Sequence, residues 1–294
     1  MQPRLASRSL AGRSALLLAV AAVFFGIMVI VAKDVERRLP GAEVAFIRFA
    51  IGLAGCGLAA GKIRFRFINK RVLFLRGAFG GSAVLCFFLA IEHLPVGVAT
   101  LLNYTAPVFT ALWAALFLGE PLGLGTLGAL ALTVLGVGLV IYGQAPPGEL
   151  GFGPWQLVGI LSAVLSGAAV TCVRAVRRTD GPWEIFAAFC LIGMLVTGVP
   201  TAEHYLPPSG RDWLLLGAVG LLSLIAQLLM AYSLRYVKAA VGGILLQLTP
   251  VAALALGYFL YAEPMPLLSL AGAAVTVGGV SAGAWLASTP EEEP

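Results

Sequence analysis

Ten apolar stretches, each about long enough to cross a bilayer, occupy most of the 294-residue chain. Roughly 20 apolar residues span about 30 Å of hydrocarbon. Inside lipid the backbone must satisfy its own hydrogen bonds, and a helix does so within each stretch. The sequence therefore predicts an all-α integral membrane protein with ten transmembrane helices. The predicted helices cover residues 14–32, 41–61, 72–91, 96–118, 123–143, 155–173, 182–200, 213–233, 239–261 and 267–287.

The composition excludes a soluble domain. Only 11% of the residues are charged and 60% are hydrophobic, and the mean hydropathy is +0.96, whereas soluble domains are about one quarter charged. The net charge of +5 does not indicate a nucleic-acid partner, because the basic residues lie in short runs between apolar stretches, as membrane topology requires. We expect the lipid bilayer to surround the protein and no nucleic acid to bind it.

The distribution of Lys and Arg predicts the orientation. Basic residues are enriched in cytoplasmic segments, and one set of alternating connections holds most of them. This predicts a multi-pass protein of the cell inner (plasma) membrane with both termini in the cytoplasm. The predicted cytoplasmic residues are Arg4, Arg8, Arg13, Lys62, Arg64, Arg66, Lys70, Arg71, Arg174, Arg177, Arg178, Arg235 and Lys238. The predicted outer residues are Lys33, Arg37, Arg38 and Arg211.

The second half of the chain repeats the first at an offset of 143 positions. Thr105-Ala106-Pro107 is followed by Leu-Gly-Glu-Pro ending at Pro121, and Leu248-Thr249-Pro250 is followed by Tyr-Ala-Glu-Pro ending at Pro264. Because five helices form an odd number, the second copy must cross the membrane in the opposite direction. Residues 1–145 and 146–294 are therefore predicted to form two inverted five-helix repeats, an arrangement typical of secondary transporters that hold cargo near the midplane.

The same residues resemble a known family. The segment Val98–Pro107, the following Leu118-Gly119-Glu120 and the second-half counterpart ending at Glu263 are similar to the EamA-type family of the drug/metabolite transporter superfamily. The resemblance covers essentially the whole chain. It implies two five-helix repeats around a central cavity lined mainly by helices 3, 4, 8 and 9. It also implies export of small metabolites, amino acids first, without a cofactor or metal.

Two other branches of that superfamily fit the sequence less well. Small multidrug-type antiporters rely on a carboxylate in the first helix, and residues 15–32 contain none. Sugar-phosphate carriers require cations in the cavity, whereas Arg48 and Arg76 are expected near helix ends, where long side chains reach the membrane surface. We therefore expect a small neutral or zwitterionic substrate, with export of drugs or other metabolites as the alternative.

Helix 4 holds the first candidate substrate-binding residues. Thr100, Asn103 and Pro107 share one helical face at spacings i, i+3 and i+7, and Tyr104 is adjacent. A polar face in hydrocarbon must meet another helix or water, and an amide both donates and accepts hydrogen bonds. Binding of a zwitterion by Asn103 and Tyr104 is one interpretation, and hydrogen bonding between helices is the other.

The repeat assigns counterparts to these residues. Tyr104 corresponds to Gln247, and each lies three residues before a proline, Pro107 or Pro250. A proline inside a helix leaves the carbonyl four residues earlier without its donor. Pro107 and Pro250 are therefore candidate hinges, although prolines are also common in membrane helices for structural reasons.

The other candidate substrate-binding residues are polar side chains on helices 3, 6 and 8. Gln227 is the strongest, because an unpaired amide in lipid is costly, whereas small serines often serve only in packing. The histidine at the end of helix 3 is a candidate proton carrier because its ordinary pKa lies near neutrality. No carboxylate lies at a helix centre to form a proton relay. These candidates are Ser82, Ser166, Gln227 and His93.

Alternatives from other functional classes are less favoured. A membrane-embedded enzyme needs an acid–base pair, a nucleophile or a metal cluster, and the two histidines, His93 and His204, lack motif partners. A passive channel would differ from a carrier in its unsaturable conductance. The sequence therefore favours an alternating-access exporter that works as a monomer or homodimer.

Overall fold

The fold is described by a computed structural model for residues 2–94, 96–144, 153–262 and 265–288. Throughout these residues the regular secondary structure is helical. The prediction of an all-α protein is confirmed. The helices are α1 Gln2–Glu36, α2 Gly41–Ala60, α3 Lys70–His93, α4 Val96–Asn103, α5 Ala106–Leu118, α6 Leu124–Gln144, α7 Pro154–Val176, α8 Pro182–Glu203, α9 Gly210–Ser233, α10 Ala239–Leu246, α11 Leu248–Tyr261 and α12 Leu267–Ser288.

Within the described ranges, nine segments are long and apolar enough to span a membrane, and Ala106–Leu118 is a shorter apolar helix. The nine include Ala239–Leu260, in which α10 and α11 together form one span. Large apolar side chains such as Leu58, Phe117 and Leu124 are exposed on the outside of the bundle. So large an exposed apolar area is unfavourable in water and favourable in a lipid bilayer. The chain is therefore a multi-pass membrane protein.

Two spans that the sequence predicted as single helices, each with an internal proline as a candidate hinge, are broken in the middle. Residues 96–118 divide into α4 and α5 at Tyr104–Thr105, and residues 239–261 divide into α10 and α11 at Gln247. Each break lies two or three residues before a proline, whose ring removes one backbone donor from the helix. The breaks therefore place irregular backbone inside the bundle, where it must contact protein or a water-filled cavity rather than lipid.

Helices α6 and α12 pack closely through small residues, in a reciprocal pattern. A Cβ atom on Gly136 would overlap the backbone nitrogen of Thr276, and a Cβ atom on Gly279 would lie 2.8 Å from the backbone nitrogen of Thr133. The sequence aligned these residues at the offset of 143: Thr133 with Thr276, and Gly136 with Gly279. Gly136 thus contacts Thr276, and its counterpart Gly279 contacts Thr133, which is the counterpart of Thr276.

A second reciprocal pair lies on the same two helices. A Cβ on Gly125 would lie 3.1 Å from the Leu286 side chain, and one on Gly143 would lie 3.3 Å from that of Leu268. These positions are again related by the 143-residue offset. Contacts at both ends of the pair show that α6 and α12 run antiparallel along their full length.

Candidate functional site

A cavity of about 410 Å³ lies between the helices α1 to α5 on one side and α7 and α9 to α11 on the other. It extends from the helix breaks at Tyr104 and Gln247 to the end of the bundle where α1 ends and α2 begins. At that end its lining includes Lys33, which is exposed, and Glu36. We call this end of the bundle the open end and the opposite end the closed end. The volume of the cavity is typical of sites for small molecules.

The closed end is filled by apolar side chains. Leu18 of α1, Val173 of α7, Leu234 at the end of α9 and Leu245 of α10 are fully buried in one cluster. Such a core leaves no path for a polar solute. The cavity therefore has access to one side of the bundle.

An ionic network joins the helix ends around that core. The Glu120 carboxylate accepts a hydrogen bond from Arg174 Nε at 2.7 Å and another from the backbone nitrogen of Ala239, the first residue of α10, at 2.8 Å. Arg174 also donates to the backbone carbonyls of Leu234 and Arg235. One carboxylate thus links α5, α7 and the start of α10. We call these residues the closed-end network.

Glu120 stabilises a helix that is distant in the sequence. A carboxylate just before a helix can stabilise the start of that helix by accepting from its free N–H groups, and the next helix after Glu120 is α6. Glu120 does cap a helix N-terminus, but that of α10, 119 positions later. Its second-half counterpart, Glu263, lies outside the described residues.

Arg177 adds a second link at the closed end. It lies just beyond α7 and is 6% exposed, and its Nε donates to the carbonyl oxygen of Ala231 at 2.8 Å. Burial lowers the pKa of the Arg177 guanidinium below its ordinary value. The small exposure of Arg177 indicates that little water reaches this part of the closed end.

The structure brings most of the predicted site residues together. They contribute to the cavity from four directions: α4 with the first helix break, α7, α9, and the second break after α10. Their role in substrate binding stays a prediction. The predicted residues that line the cavity are Thr100, Asn103, Tyr104, Pro107, Ser166, Gln227 and Gln247.

The hydrogen bonds of Asn103 determine how its amide is oriented. Asn103 Nδ2 donates to Ser162 Oγ at 2.9 Å, while Ser162 Oγ donates its only proton to the Gly159 carbonyl at 2.7 Å. Because Ser162 can then only accept, the nitrogen of the amide must face it. The amide oxygen of Asn103 is left on the opposite side, available as an acceptor in the cavity.

The two helix breaks contact each other. Gln247 is 2% exposed, and its Nε2 donates to the backbone carbonyl of Tyr104, its counterpart at the 143-residue offset. A Cβ on Gly243 of α10 would lie 3.4 Å from Pro107, so the backbones approach closely here. Tyr104 and Gln247 together form the floor of the cavity, where its lining reaches the helix breaks.

Ser82, His93 and Pro250 lie away from the cavity. His93 is exposed at the open end, where its ring stacks on Trp155 with centroids 3.5 Å apart and its Nδ1 is 3.0 Å from the Leu89 carbonyl. Ser82 is half-buried on α3, and Pro250 is buried in the first turn of α11. Sequence periodicity does not show which face of a helix meets the cavity, so it grouped these residues with the lining.

Two arginines that the sequence placed near helix ends lie inside the protein, so the expectation that they reach the membrane surface is wrong. Arg48 lines the cavity. Arg76 is 4% exposed, lies over the Phe189 ring at 4.0 Å from its centroid, and donates from Nη2 to Gln227 Oε1 at 3.0 Å. Each lies about two turns inside its helix. The sequence carried a signal of this depth for Arg48, which lies about two turns inside the predicted helix 41–61, but not for Arg76, which lies about one turn inside the predicted helix 72–91.

The chain is similar to known transporters. The model of the EamA-like transporter family matches residues 12–142 and again residues 153–282. "Pseudopaline exporter CntI" of Pseudomonas aeruginosa (strain UCBPP-PA14) is 29% identical over 270 residues, which cover 90% of this chain and 94% of that protein. An uncharacterized transporter of Archaeoglobus fulgidus is 30% identical over 71% of this chain and 75% of its own length.

A third relative has a different named cargo. The "Riboflavin transporter" of Rhizobium johnstonii is 28% identical, with 77% of this chain and 76% of that protein covered. A solved crystal structure superposes with a TM-score of 0.78 at 24% identity, covering 94% of this chain and 98% of that one. At that identity the match shows a shared fold.

Proposed function

Because the chain belongs to the EamA-like transporter family, we propose that it is a secondary exporter of small neutral or zwitterionic metabolites, amino acids first, by alternating access. The observation that supports this most is the cavity, which ends at two broken helices and is closed on one side by a buried apolar core. A binding site in the middle of the bundle with access to one end is what one state of such a cycle requires.

We propose that residues 1–145 and 146–294 are inverted five-helix repeats forming ten transmembrane helices around this cavity. The reciprocal α6–α12 contacts support it, because a two-fold relation requires that if one residue contacts a second, their counterparts are also in contact. The Tyr104–Gln247 hydrogen bond joins counterparts directly, as expected for residues near such an axis. The two matches to the family model divide the chain similarly.

We propose that the closed end faces the cytoplasm of the inner membrane, with both chain termini on that side. Most of the basic residues, including the run from Lys62 to Arg71 and the group from Arg174 to Arg178, lie at the closed end. Basic residues are enriched on the cytoplasmic side. The structure then corresponds to the outward-open state, from which an exporter releases its cargo.

The preference for a zwitterion rests on the polarity of the cavity groups. Asn103 and Tyr104 line the cavity, and the amide oxygen of Asn103 and the hydroxyl of Tyr104 are acceptors that suit an ammonium group, which only donates. Apolar side chains such as Phe25, Phe87 and Phe88 line the remainder and suit an apolar substituent. The named cargoes of the relatives, pseudopaline and riboflavin, differ from each other, so family membership does not by itself select the substrate.

We propose that Pro107 and Pro250 act as hinges. They follow the two helix breaks, and Pro107 packs against α10 beside the second break. Missing backbone hydrogen bonds at these positions make bending less costly than in an intact helix. Rotation of the two half-helices of each broken span about the break would open the closed end while closing the open end.

The first test is uptake of a panel of radiolabelled amino acids by proteoliposomes of purified wild type and Asn103→Ala, with and without a pH gradient. We expect saturable uptake by the wild type and a loss of at least about tenfold in Asn103→Ala, because a buried hydrogen bond to a charged group contributes about 1.5 to 3 kcal/mol. A correctly folded Asn103→Ala protein with normal flux would contradict the site. No uptake of any amino acid would contradict the substrate.

Asn69→Ala is the matched control. Asn69 caps α3 at the closed end by accepting from the backbone nitrogen of Val72 at 3.3 Å and does not line the cavity. Its loss costs about 1 kcal/mol of stability. It should therefore lower thermal stability while leaving flux per folded protein unchanged, which separates a binding defect from a folding defect.

A further inference from the structure

The Arg48 guanidinium in the cavity has no oxygen acceptor for its donors in the described part of the chain. Its Nε and Nη2 are buried without a hydrogen-bond partner, and its Nη1 has only the weakly accepting Met28 sulfur at 4.0 Å. The Phe49 ring centroid lies 4.8 Å from the guanidinium carbon, which favours a cation but supplies no directed acceptor. A cation is costly within a membrane span. Its retention there therefore suggests that an acceptor arrives from outside the chain.

Gln227 supplies a second donor to the same cavity. Arginine can only donate, so the bond from Arg76 fixes the oxygen of the Gln227 amide toward Arg76. The amide nitrogen, with its two N–H groups, is left for the cavity that Gln227 lines. Arg76 is thus a positioning residue, and Arg48 and Gln227 both offer donors to the cavity that they line.

Two arginine charges lie close to one carboxylate charge on this part of the cavity. Arg48 lines the cavity, and Glu36, the carboxylate among the described lining residues, attracts it electrostatically. No ion pair within 4.0 Å joins Glu36 to Arg48 in the described part of the chain. Arg76, directly behind Gln227, adds a further positive charge. The surplus favours an anionic group in the cavity.

From these observations we infer that Arg48 binds a carboxylate of the cargo, with the Gln227 amide as the second donor, so that the substrates are carboxylate-bearing metabolites. Guanidinium matches carboxylate because its N–H donors form a planar fork. This inference rests on the proposed transport function, and it makes the carboxylate the indispensable part of the substrate. The acceptor of Asn103 and the apolar lining select among molecules that contain one.

Three probes of one shape separate the groups: L-phenylalanine, its decarboxylated amine phenethylamine, and the amine-free 3-phenylpropionate. Binding is measured as thermal stabilisation of the purified full chain, and transport as saturable uptake by proteoliposomes. We expect phenylalanine and 3-phenylpropionate to bind at least about tenfold more tightly than phenethylamine, since charge-assisted hydrogen bonds are the strong ones. Arg48→Gln should abolish that difference, and Arg48→Lys should retain part of it.

Arg37→Gln is the matched control, because it removes an exposed cation at the same end that does not line the cavity. It should leave the preference intact. Arg76→Gln should weaken carboxylate binding and leave the contribution of Arg48. If the Arg76→Gln protein is unstable, Gln227→Leu takes its place, because it removes the same donor directly.

Unchanged preference for carboxylates in folded Arg48→Gln, binding of phenethylamine as tight as that of the carboxylates, or the absence of carboxylate binding would overturn the inference. Carboxylate binding that depends on Arg48 without saturable uptake of any solute would overturn the transport function and leave the carboxylate site.

Discussion

The two ends of the bundle use the same kinds of charged residue in different surroundings. At the closed end the Arg174 and Glu120 side chains are 18% and 8% exposed and also bind three backbone groups. At the open end Arg211 pairs with Asp34 with the arginine 77% exposed, and Arg38 pairs with Asp212 with the arginine 55% exposed. Ion pairs in water contribute little, whereas breaking a buried pair is costly. The closed-end network is therefore better shielded from water than the open-end pairs, in each of which the arginine is well exposed.

Removal of the closed-end carboxylate should have the largest effect on stability. Glu120→Ala leaves Arg174 in a poorly hydrated site without its counter-charge and leaves the Ala239 N–H without an acceptor. We expect a loss of about 3 kcal/mol in the free energy of unfolding, measured by denaturation in mixed micelles.

Glu120→Gln is the control for this change, because it keeps an acceptor for Ala239 while removing the charge. It should lose less stability than Glu120→Ala. Equal stability of the wild type and both variants would show that the network does not hold the closed end.

The matched change at the open end should have the smallest effect. Asp34→Asn removes the partner of Arg211, but the arginine stays hydrated, so we expect a loss below about 1 kcal/mol in the same assay. Because exposed pairs are screened by salt, the loss should shrink further at high ionic strength. A loss as large as that of Glu120→Ala would remove the contrast between the two ends.

The sequence predicted the helices well, because the length of a hydrophobic stretch is a local property. The helix breaks also had a sequence signal in Pro107 and Pro250, which were predicted as hinges within single spans. The helix ends differ where charged residues continue a helix beyond the apolar stretch: α1 runs to Glu36, not to residue 32. Hydropathy identifies the residues that lie in the hydrocarbon region. The backbone hydrogen bonds of a helix can continue beyond that region, so the helix can be longer than the apolar stretch.

The partners of charged residues could not be predicted in the same way. Glu120 caps a helix of the other half of the chain, and Arg76 reaches a glutamine 151 positions away. Both depend on which helices become neighbours in the fold. Arg48 was expected to reach the membrane surface because it lies in the first turns of its helix, but its face of α2 meets the cavity instead.

The central claim, that the cavity opens alternately at the two ends, is tested most directly by cysteine accessibility in a background without Cys56, Cys86, Cys172 and Cys190. Ala32→Cys reports the open end, where Ala32 lines the cavity, and Val173→Cys reports the closed end, where Val173 is fully buried. Both are labelled with a maleimide in detergent, with and without L-phenylalanine. We predict fast labelling at position 32 and slow labelling at 173 without cargo, with opposite changes in the two rates when cargo is added. Rates that rise or fall together, or a position 173 that labels as fast as position 32 without cargo, would contradict alternating access.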